Sequence, residues 1–184
     1  MRRLLAVFWD VDGTIADTEL DGHRVAFNRS FKDFNLDWKW DERTYINLLN
    51  ISGGLNRIIY FRNSNQINLS NEICSEIQSR KRFHYSEIVN SGIIKPRNGV
   101  LRLIEELASN DVEQYIVTTS SRDSLDPLLK TSLSKHLQYF SNKITYEDVI
   151  NLKPFPDAYK LAINLSRKLP ANCLAIEDSQ NGVN

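Results

Sequence analysis

The 184-residue sequence has few cysteines and no excess of charge, and both absences exclude classes of protein. Only Cys74 and Cys173 are present, far apart and outside any metal-ligand spacing, which argues against a disulfide framework and favours a reducing compartment. Lysine plus arginine equals aspartate plus glutamate at 23 each, so the chain has no excess of positive charge to favour binding to nucleic acid or an anionic membrane. We therefore expect neither as a partner.

Long apolar runs are also lacking, which argues against secretion and membrane insertion. The amino-terminal run ends at Trp9, where Asp10 interrupts it, and it is too short for a secretory core. Nowhere do 18 apolar residues follow one another, so we expect no membrane-spanning helix. Hydrophobic residues make up 41% and charged residues 25% of the chain, as is typical of globular proteins. We expect a cytoplasmic monomer.

Two parts of the chain alternate between short apolar runs and helical patterns. The runs at Leu4–Trp9, Tyr115–Thr118 and Cys173–Asp178 are typical of buried parallel strands. Apolar residues spaced i, i+3, i+4 and i+7 predict helices within residues 97–110 and 156–169. This alternation predicts an α/β fold, with a parallel sheet covered by helices on both faces.

A block of different pattern follows the first strand. Its residues read as successive helices: 23–34, 41–49, 55–63 and 70–89. We expect residues 17–90 to form an inserted α-helical cap domain over the strand ends. The core would then comprise residues 1–16 and 91–184, with the sheet resuming near Ile93.

Polar residues follow each predicted strand, and a lysine precedes the last long helix. They are Asp10 and Asp12, the hydroxyls of residues 118–121, Lys153, and Glu177 with Asp178. Because ligands bind at the carboxyl ends of parallel strands, we expect these side chains to converge. Four uncompensated carboxylates repel one another, and Mg²⁺ resolves that repulsion. Hydroxyls, amides and a lysine suit phosphate oxygens. With one aspartate as nucleophile and another as general acid and base, the set predicts phosphoryl transfer.

Four stretches carry a family resemblance. DVDGTIADTE, TTSSRD, KPFPDAY and AIEDSQNGV resemble, in order and context, the four motifs of the haloacid dehalogenase superfamily, which has a Rossmann-like core. More narrowly, DTELDGHRVAFN, NISGGLNRI and LKPFPDAYKLA resemble the CbbY-like sugar-phosphate phosphatases. Members of that group remove a phosphate from xylulose-1,5-bisphosphate, an inhibitory by-product of Rubisco. The resemblance implies a Mg²⁺-dependent phosphoric monoester hydrolase acting on a small sugar phosphate, with this bisphosphate as the candidate.

The resemblance assigns roles to the acidic residues by position. Asp10 is the nucleophile that forms an aspartyl-phosphate, and Asp12 protonates the leaving sugar oxygen and then activates water. Mg²⁺ is held by the Asp10 carboxylate, the Asp12 backbone carbonyl and Asp178, with Glu177 a ligand or the partner of one. Gly13 lets the backbone turn away after the two aspartates.

The resemblance also implies which residues bind the transferring phosphoryl group. These are Thr119, the backbone amide of Ser120, and Lys153. A register one residue away, at Thr118 or Ser120, remains an alternative to Thr119.

Substrate choice falls to the cap in this family. The matching positions are Glu19, His23, Arg24, Gly53, Gly54 and Arg57. Related CbbY proteins commonly have lysine after the two glycines, where this chain has Leu55. Losing that cation weakens the case for a bisphosphate substrate, and Arg57 is the candidate to replace it.

The carboxyl end departs from the family pattern. The chain stops at Asn184, whereas family members continue for a further helix and at least one strand. We therefore expect the carboxyl-terminal end of the core to be truncated, with apolar faces exposed. Four alternatives stay open: a β-phosphoglucomutase-like hexose-phosphate mutase, a phosphoglycolate phosphatase, a non-catalytic phosphate-binding module, and a truncated inactive remnant.

Overall fold

The computed structural model describes residues 3–51 and 53–183. The chain divides into two compact units, residues 1–18 with 94–184, and residues 19–93. The first unit contains all the strands described in the chain, together with helices, whereas the described part of the second contains helices and loops. The α/β class expected from the sequence is confirmed.

A four-stranded parallel sheet forms the centre of the first unit. Its strands are β1 (Ala6–Trp9), β2 (Glu113–Val117), β3 (Phe140–Ile144) and β4 (Cys173–Ile176), in the order β3-β2-β1-β4. β1 is buried throughout, as expected for an apolar strand covered on both faces. β4 lies at an edge of the described sheet, and Leu174 is 50% exposed.

β3 is the strand that the apolar pattern did not predict. Its middle residues, Ser141 to Lys143, are polar and exposed, so no apolar run marks it. The expected return of the sheet near Ile93 was also wrong, since no strand of the described chain begins there. Pro96 instead forms an isolated antiparallel bridge with Ala16, and proline cannot donate a hydrogen bond to a ladder.

Eight α-helices are described, four in each unit. They are α1 (Val25–Asp33), α2 (Glu42–Leu48), α3 (Gly54–Ser64), α4 (Asn71–Asn90), α5 (Val100–Ser109), α6 (Arg122–Ser132), α7 (Asp157–Ser166) and α8 (Gln180–Val183). A π-helix, Glu19–Arg24, precedes α1, and short 3₁₀ turns occur at Leu137–Tyr139, Tyr146–Asp148 and Pro170–Asn172. Among the described residues, no helix is both long and apolar enough to cross a membrane.

The two faces of the sheet pack differently. On one face, Phe8 and Tyr115 meet edge to face at 5.7 Å and pack with Ala158 and Ala162 of α7. Trp9 belongs to the opposite face, where its indole donates to Gln114 Oε1 at 3.0 Å. The Gln114 amide donates in turn to the Ile104 carbonyl of α5, so the buried polar groups of this face are paired.

An aromatic core holds the helical unit together. Phe27 and Phe31 of α1 pack on Trp40, with ring centroids 4.7 and 4.8 Å apart respectively. The side chain of Asp41 accepts from the Thr44 amide, which explains why α2 begins there. Ser70 caps α4 in the same way.

Candidate active site

The strand register brings three carboxylates to one edge of the sheet. Trp9, the last residue of β1, lies opposite Ile176, the last residue of β4. Asp10 therefore leaves β1 beside Glu177 and Asp178 as they leave β4, and the Asp10 amide donates to the Ile176 carbonyl at 3.0 Å. Carboxylate oxygens of these three residues all lie within 4.8 Å of one another.

Lys153 supplies the positive charge at this cluster. Its buried ammonium group donates to Asp10 Oδ1 at 2.8 Å, to Glu177 Oε2 at 2.9 Å and to the Val117 carbonyl at 2.9 Å. The Tyr159 hydroxyl reaches the same Glu177 oxygen at 3.2 Å. Lys153 is only 6% exposed, so solvent has little access to these hydrogen bonds.

The electrostatics of the site are dominated by burial. Burial raises the pKa of Asp10 above its ordinary value, the Lys153 ammonium opposes that rise, and Glu177 adds to it. Burial alone would lower the pKa of Lys153, but the facing Asp10 and Glu177 carboxylates outweigh it and hold that pKa above the usual value. The lysine therefore remains charged at neutral pH.

Asp12 has different surroundings although it is only two residues away. Its Oδ1 accepts a hydrogen bond from the Thr18 hydroxyl and its Oδ2 accepts one from the Ser120 hydroxyl. Both donors are neutral, and the Asp12 side chain is partly exposed. The carboxylate is thus held in place by hydroxyls rather than by Lys153.

The turn after β2 brings only part of the predicted phosphate-binding set to this cluster. Ser120 contacts Asp12, but its amide, expected to bind phosphate, is bonded to Thr118 Oγ1 at 3.0 Å. Thr118 is buried, whereas Thr119 is exposed in the turn. Thr119 is therefore the more accessible of the two threonines.

The loop after Asp12 lies close against Asp178. Gly13 has φ +89°, in the left-handed region, and a Cβ placed there would lie 2.2 Å from Asp178 Oδ2. The neighbouring Thr14 hydroxyl donates to Asp178 Oδ1 at 3.1 Å. The positive φ favours glycine, and a Cβ at this position would force the Asp178 carboxylate to shift.

Two of the cap residues predicted to bind substrate share a cluster inside the helical unit. The Tyr45 hydroxyl donates to Glu19 Oε2 at 2.5 Å, and Arg57 Nη1 lies 3.3 Å from that hydroxyl and 4.0 Å from the same carboxylate. The Arg57 Nε also donates to the Ile51 carbonyl at 2.9 Å. Glu19 and Arg57 are thus fixed relative to each other by Tyr45.

His23 and Arg24 have separate partners within the same unit. His23 is 6% exposed, stacks on Tyr85 at 4.0 Å, and has Nδ1 2.7 Å from Lys81 Nζ. Arg24 lies 3.7 Å from Glu42. Neither of the two belongs to the Glu19 cluster by any contact described.

The two predicted glycines lie at the start of α3. Gly53 has φ +88°, which glycine adopts readily, and Gly54 is the first helical residue. A Cβ at Gly54 would lie 2.6 Å from the amide oxygen of Gln78 on α4. The end of the Gln78 side chain would have to shift to admit that Cβ, so packing favours glycine here independently of any ligand.

Comparison with known proteins identifies the family. Residues 7–184 match the family model of the haloacid dehalogenase-like hydrolases. The chain belongs to this family. It is 35% identical to the protein CbbY of Rhodobacter capsulatus over 181 residues, which cover 98% of this chain and 79% of that protein.

Two solved structures of this hydrolase family resemble the chain over nearly its whole length. The crystal structure of CbbY from Rhodobacter sphaeroides in complex with phosphate gives a TM-score of 0.89 at 31% identity. A mutant of that protein in complex with xylulose-1,5-bisphosphate gives 0.89 at 30% identity. Each match covers 98% of this chain and 80% of the other. The predicted family, its Rossmann-like α/β fold and the class of phosphoric monoester hydrolase are confirmed.

The acidic cluster of this hydrolase fits a hard divalent cation. Asp10, Glu177 and Asp178 offer carboxylate oxygens that lie close enough to share one ion. Lys153 bonds to two of the three, so a formal negative charge remains to be balanced. The donor set consists of oxygen atoms, as magnesium and calcium sites require.

The motifs did not reveal several side chains that hold this site of the hydrolase together. Thr18 on Asp12, Thr14 on Asp178 and Tyr159 on Glu177 are contacts between residues of ordinary type. In the helical unit, Tyr45 was missed in the same way. Thr14 and Thr18 lie within the first motif stretch, and that position was the available signal.

Proposed function

We propose that this hydrolase is a Mg²⁺-dependent phosphatase that removes phosphate from a small sugar phosphate through an aspartyl-phosphate on Asp10. The observation that carries the proposal is the contrast between two neighbouring aspartates. Asp10 is buried against Lys153, where a phosphoryl group would meet a fixed positive charge. Asp12 is partly exposed and held by two hydroxyls, as suits a group that moves protons.

The proposed reaction has two steps. Asp10 attacks phosphorus, and the bond to the sugar oxygen breaks while Asp12 gives that oxygen its proton. The Asp12 carboxylate then takes a proton from water, whose oxygen attacks the aspartyl-phosphate, so that inorganic phosphate leaves and Asp10 is regenerated. Lys153 and the Thr119 hydroxyl would hold the phosphoryl oxygens through both steps, and the Ser120 amide would join them by exchanging its bond to Thr118 Oγ1 for one to phosphate.

We propose that Mg²⁺ is the cation of this site. The carboxylates of Asp10 and Asp178 and the backbone carbonyl of Asp12 would hold it, with Glu177 as a ligand or the partner of one. When bound, it would withdraw charge from the phosphoryl oxygens as a Lewis acid.

We further propose that residues 17–90 act as a cap that selects the sugar phosphate. The Glu19–Tyr45–Arg57 cluster supports this role, because its carboxylate and guanidinium are fixed side by side. Arg57 would provide the cation that Leu55 lacks, which keeps xylulose-1,5-bisphosphate as the first candidate substrate. The other proposed substrate contacts are His23, Arg24, Gly53 and Gly54.

Phosphate release from a panel of sugar phosphates tests the proposal. The panel contains xylulose-1,5-bisphosphate, hexose phosphates and phosphoglycolate, each with Mg²⁺ and with chelator. We expect Mg²⁺-dependent release that Asp10→Asn reduces to background, whereas the exposed control Asp37→Asn leaves it unchanged. Isomerised sugar phosphate without free phosphate would contradict the proposal, as would no turnover in a cooperatively melting sample.

A further inference from the structure

Arg97 lies outside every motif, yet it makes three hydrogen bonds to the loop that follows Asp12, residues 13–18. Its Nη1 donates to the Gly13 carbonyl at 2.6 Å and to Asp17 Oδ1 at 2.8 Å. Its backbone amide donates to the Ile15 carbonyl at 2.8 Å. All of these residues belong to the α/β unit, and Arg97 stands 84 positions from Gly13 in the sequence.

Residues of the tethered loop bond to two residues of the proposed catalytic site, Asp178 and Asp12. At its start, Thr14 bonds to Asp178. At its far end, the Thr18 hydroxyl holds the Asp12 carboxylate. A displacement of residues 13–18 would therefore move the proton donor and one proposed metal ligand together.

The loop is braced by several backbone bonds, but among the hydrogen bonds described, those that the Gly13 carbonyl accepts come from Arg97. The loop lies between β1 and the π-helix Glu19–Arg24, and its bonds include Gly13 N to Ala16 O at 2.8 Å and the amides of Ile15 and Ala16 to Val11 O at 2.9 and 3.1 Å. Gly13 has no side chain to restrict its backbone. A charged donor on its carbonyl is stronger than a neutral one, so Arg97 is well suited to fix this residue.

We infer that Arg97 is a positioning residue for Asp12, which it keeps in place through the Gly13 carbonyl and the Asp17 carboxylate. The inference rests on the proposed function, in which Asp12 protonates the leaving oxygen. Arg97 contacts neither Asp12 nor any proposed phosphate ligand in the hydrogen bonds described, so its effect is indirect.

Two kinds of leaving group differ in their need for the proton of Asp12. A sugar alkoxide is a poor leaving group and needs the proton of Asp12, whereas p-nitrophenolate leaves without one. General acid catalysis contributes about 10²- to 10⁴-fold, and a displaced donor loses part of that factor. Arg97→Gln should therefore lower kcat/KM for the sugar phosphate about tenfold or more. For p-nitrophenyl phosphate the change should stay within about twofold, because no proton is required.

The ratio of the two kcat/KM values tests whether Arg97 positions Asp12, because an unfolded fraction of the protein lowers both values equally. Arg97→Lys, which keeps a charged donor, should give an intermediate ratio. The matched control is Arg102→Gln on the exposed face of α5, which should keep the wild-type ratio. An unchanged ratio in both Arg97 variants would overturn the inference.

Hydrogen exchange supplies a readout that does not depend on turnover. The Gly13 amide donates to the Ala16 carbonyl, and the amides of Ile15 and Ala16 donate to the Val11 carbonyl, so all three should exchange about tenfold faster in Arg97→Gln than in Arg102→Gln. Equal exchange in the two variants would also overturn the inference. A wild-type protein that turns over neither substrate would refute the proposed function instead, and the exchange comparison would still decide whether Arg97 holds the loop.

Discussion

Replacing Gly13 by alanine tests the close approach of the Asp12 loop to Asp178. The new Cβ would lie 2.2 Å from Asp178 Oδ2 and 2.7 Å from its Cγ, closer than real Cβ contacts come. The Asp178 carboxylate must therefore move away, and its bond from Thr14 is lost. We expect lower stability and weaker Mg²⁺ binding at the same time.

The loss of unfolding free energy in Gly13→Ala can be separated into two parts by comparison with a matched glycine. Gly99 has φ +88°, nearly the +89° of Gly13, but nothing lies within 4 Å of a Cβ placed there. Gly99→Ala should therefore show backbone strain alone, about 1–2 kcal/mol. Gly13→Ala adds the loss of the hydrogen bond between Thr14 and Asp178, about 0.5–1.5 kcal/mol more.

Urea unfolding of both variants, with Mg²⁺ and with chelator, measures the two parts. Mg²⁺ stabilises a folded protein that binds it, so the increase in unfolding free energy reports on affinity. We expect that increase to shrink in Gly13→Ala and to stay at the wild-type value in Gly99→Ala. Equal losses and equal Mg²⁺ effects in the two variants would refute the reasoning.

Two further substitutions test the core site and the helical unit. Lys153→Met leaves the buried Asp10 carboxylate without its cation, so the unfolding free energy measured with chelator should fall by about 3–5 kcal/mol. With Mg²⁺ present, the same variant should release phosphate at least about 100-fold more slowly. The exposed pair of Lys143 with Asp126 is the control, and Lys143→Met should cost less than about 1 kcal/mol in urea unfolding; equal losses would contradict the prediction. Tyr45→Phe removes the hydroxyl between Glu19 and Arg57 but keeps the buried ring, so it should raise KM for the sugar phosphate several-fold with kcat nearly unchanged. Steady-state kinetics beside the exposed control Tyr60→Phe measure this effect, and an unchanged KM would count against a role of the cluster in substrate choice.

Much of the fold could be predicted because its central strands are buried on both faces. β1 and β2 are short apolar runs with an abrupt polar end, and that pattern needs no tertiary information. β3 could not be found in this way, since Ser141, Asn142 and Lys143 are polar. Its place beside β2 depends on backbone pairing, which the side-chain pattern of β3 does not reveal.

The candidate site was predictable to the extent that it consists of strand ends. Parallel strands in register place Asp10 beside Glu177 and Asp178, so motif order along the chain implies proximity in space. Contacts made by ordinary residues from distant segments carried no such signal. Arg97 on Gly13 and Tyr45 on Glu19 are examples.

The sequence by itself determined the family, the α/β class and the identity of the charged residues, because these follow from motifs and from short-range periodicity. Only the tertiary structure decided that Lys153 bridges Asp10 and Glu177 while hydroxyls hold Asp12. The physical reason is that the protonation and reactivity of a carboxylate depend on its burial and on the groups that face it. Both are set by segments far apart in the sequence.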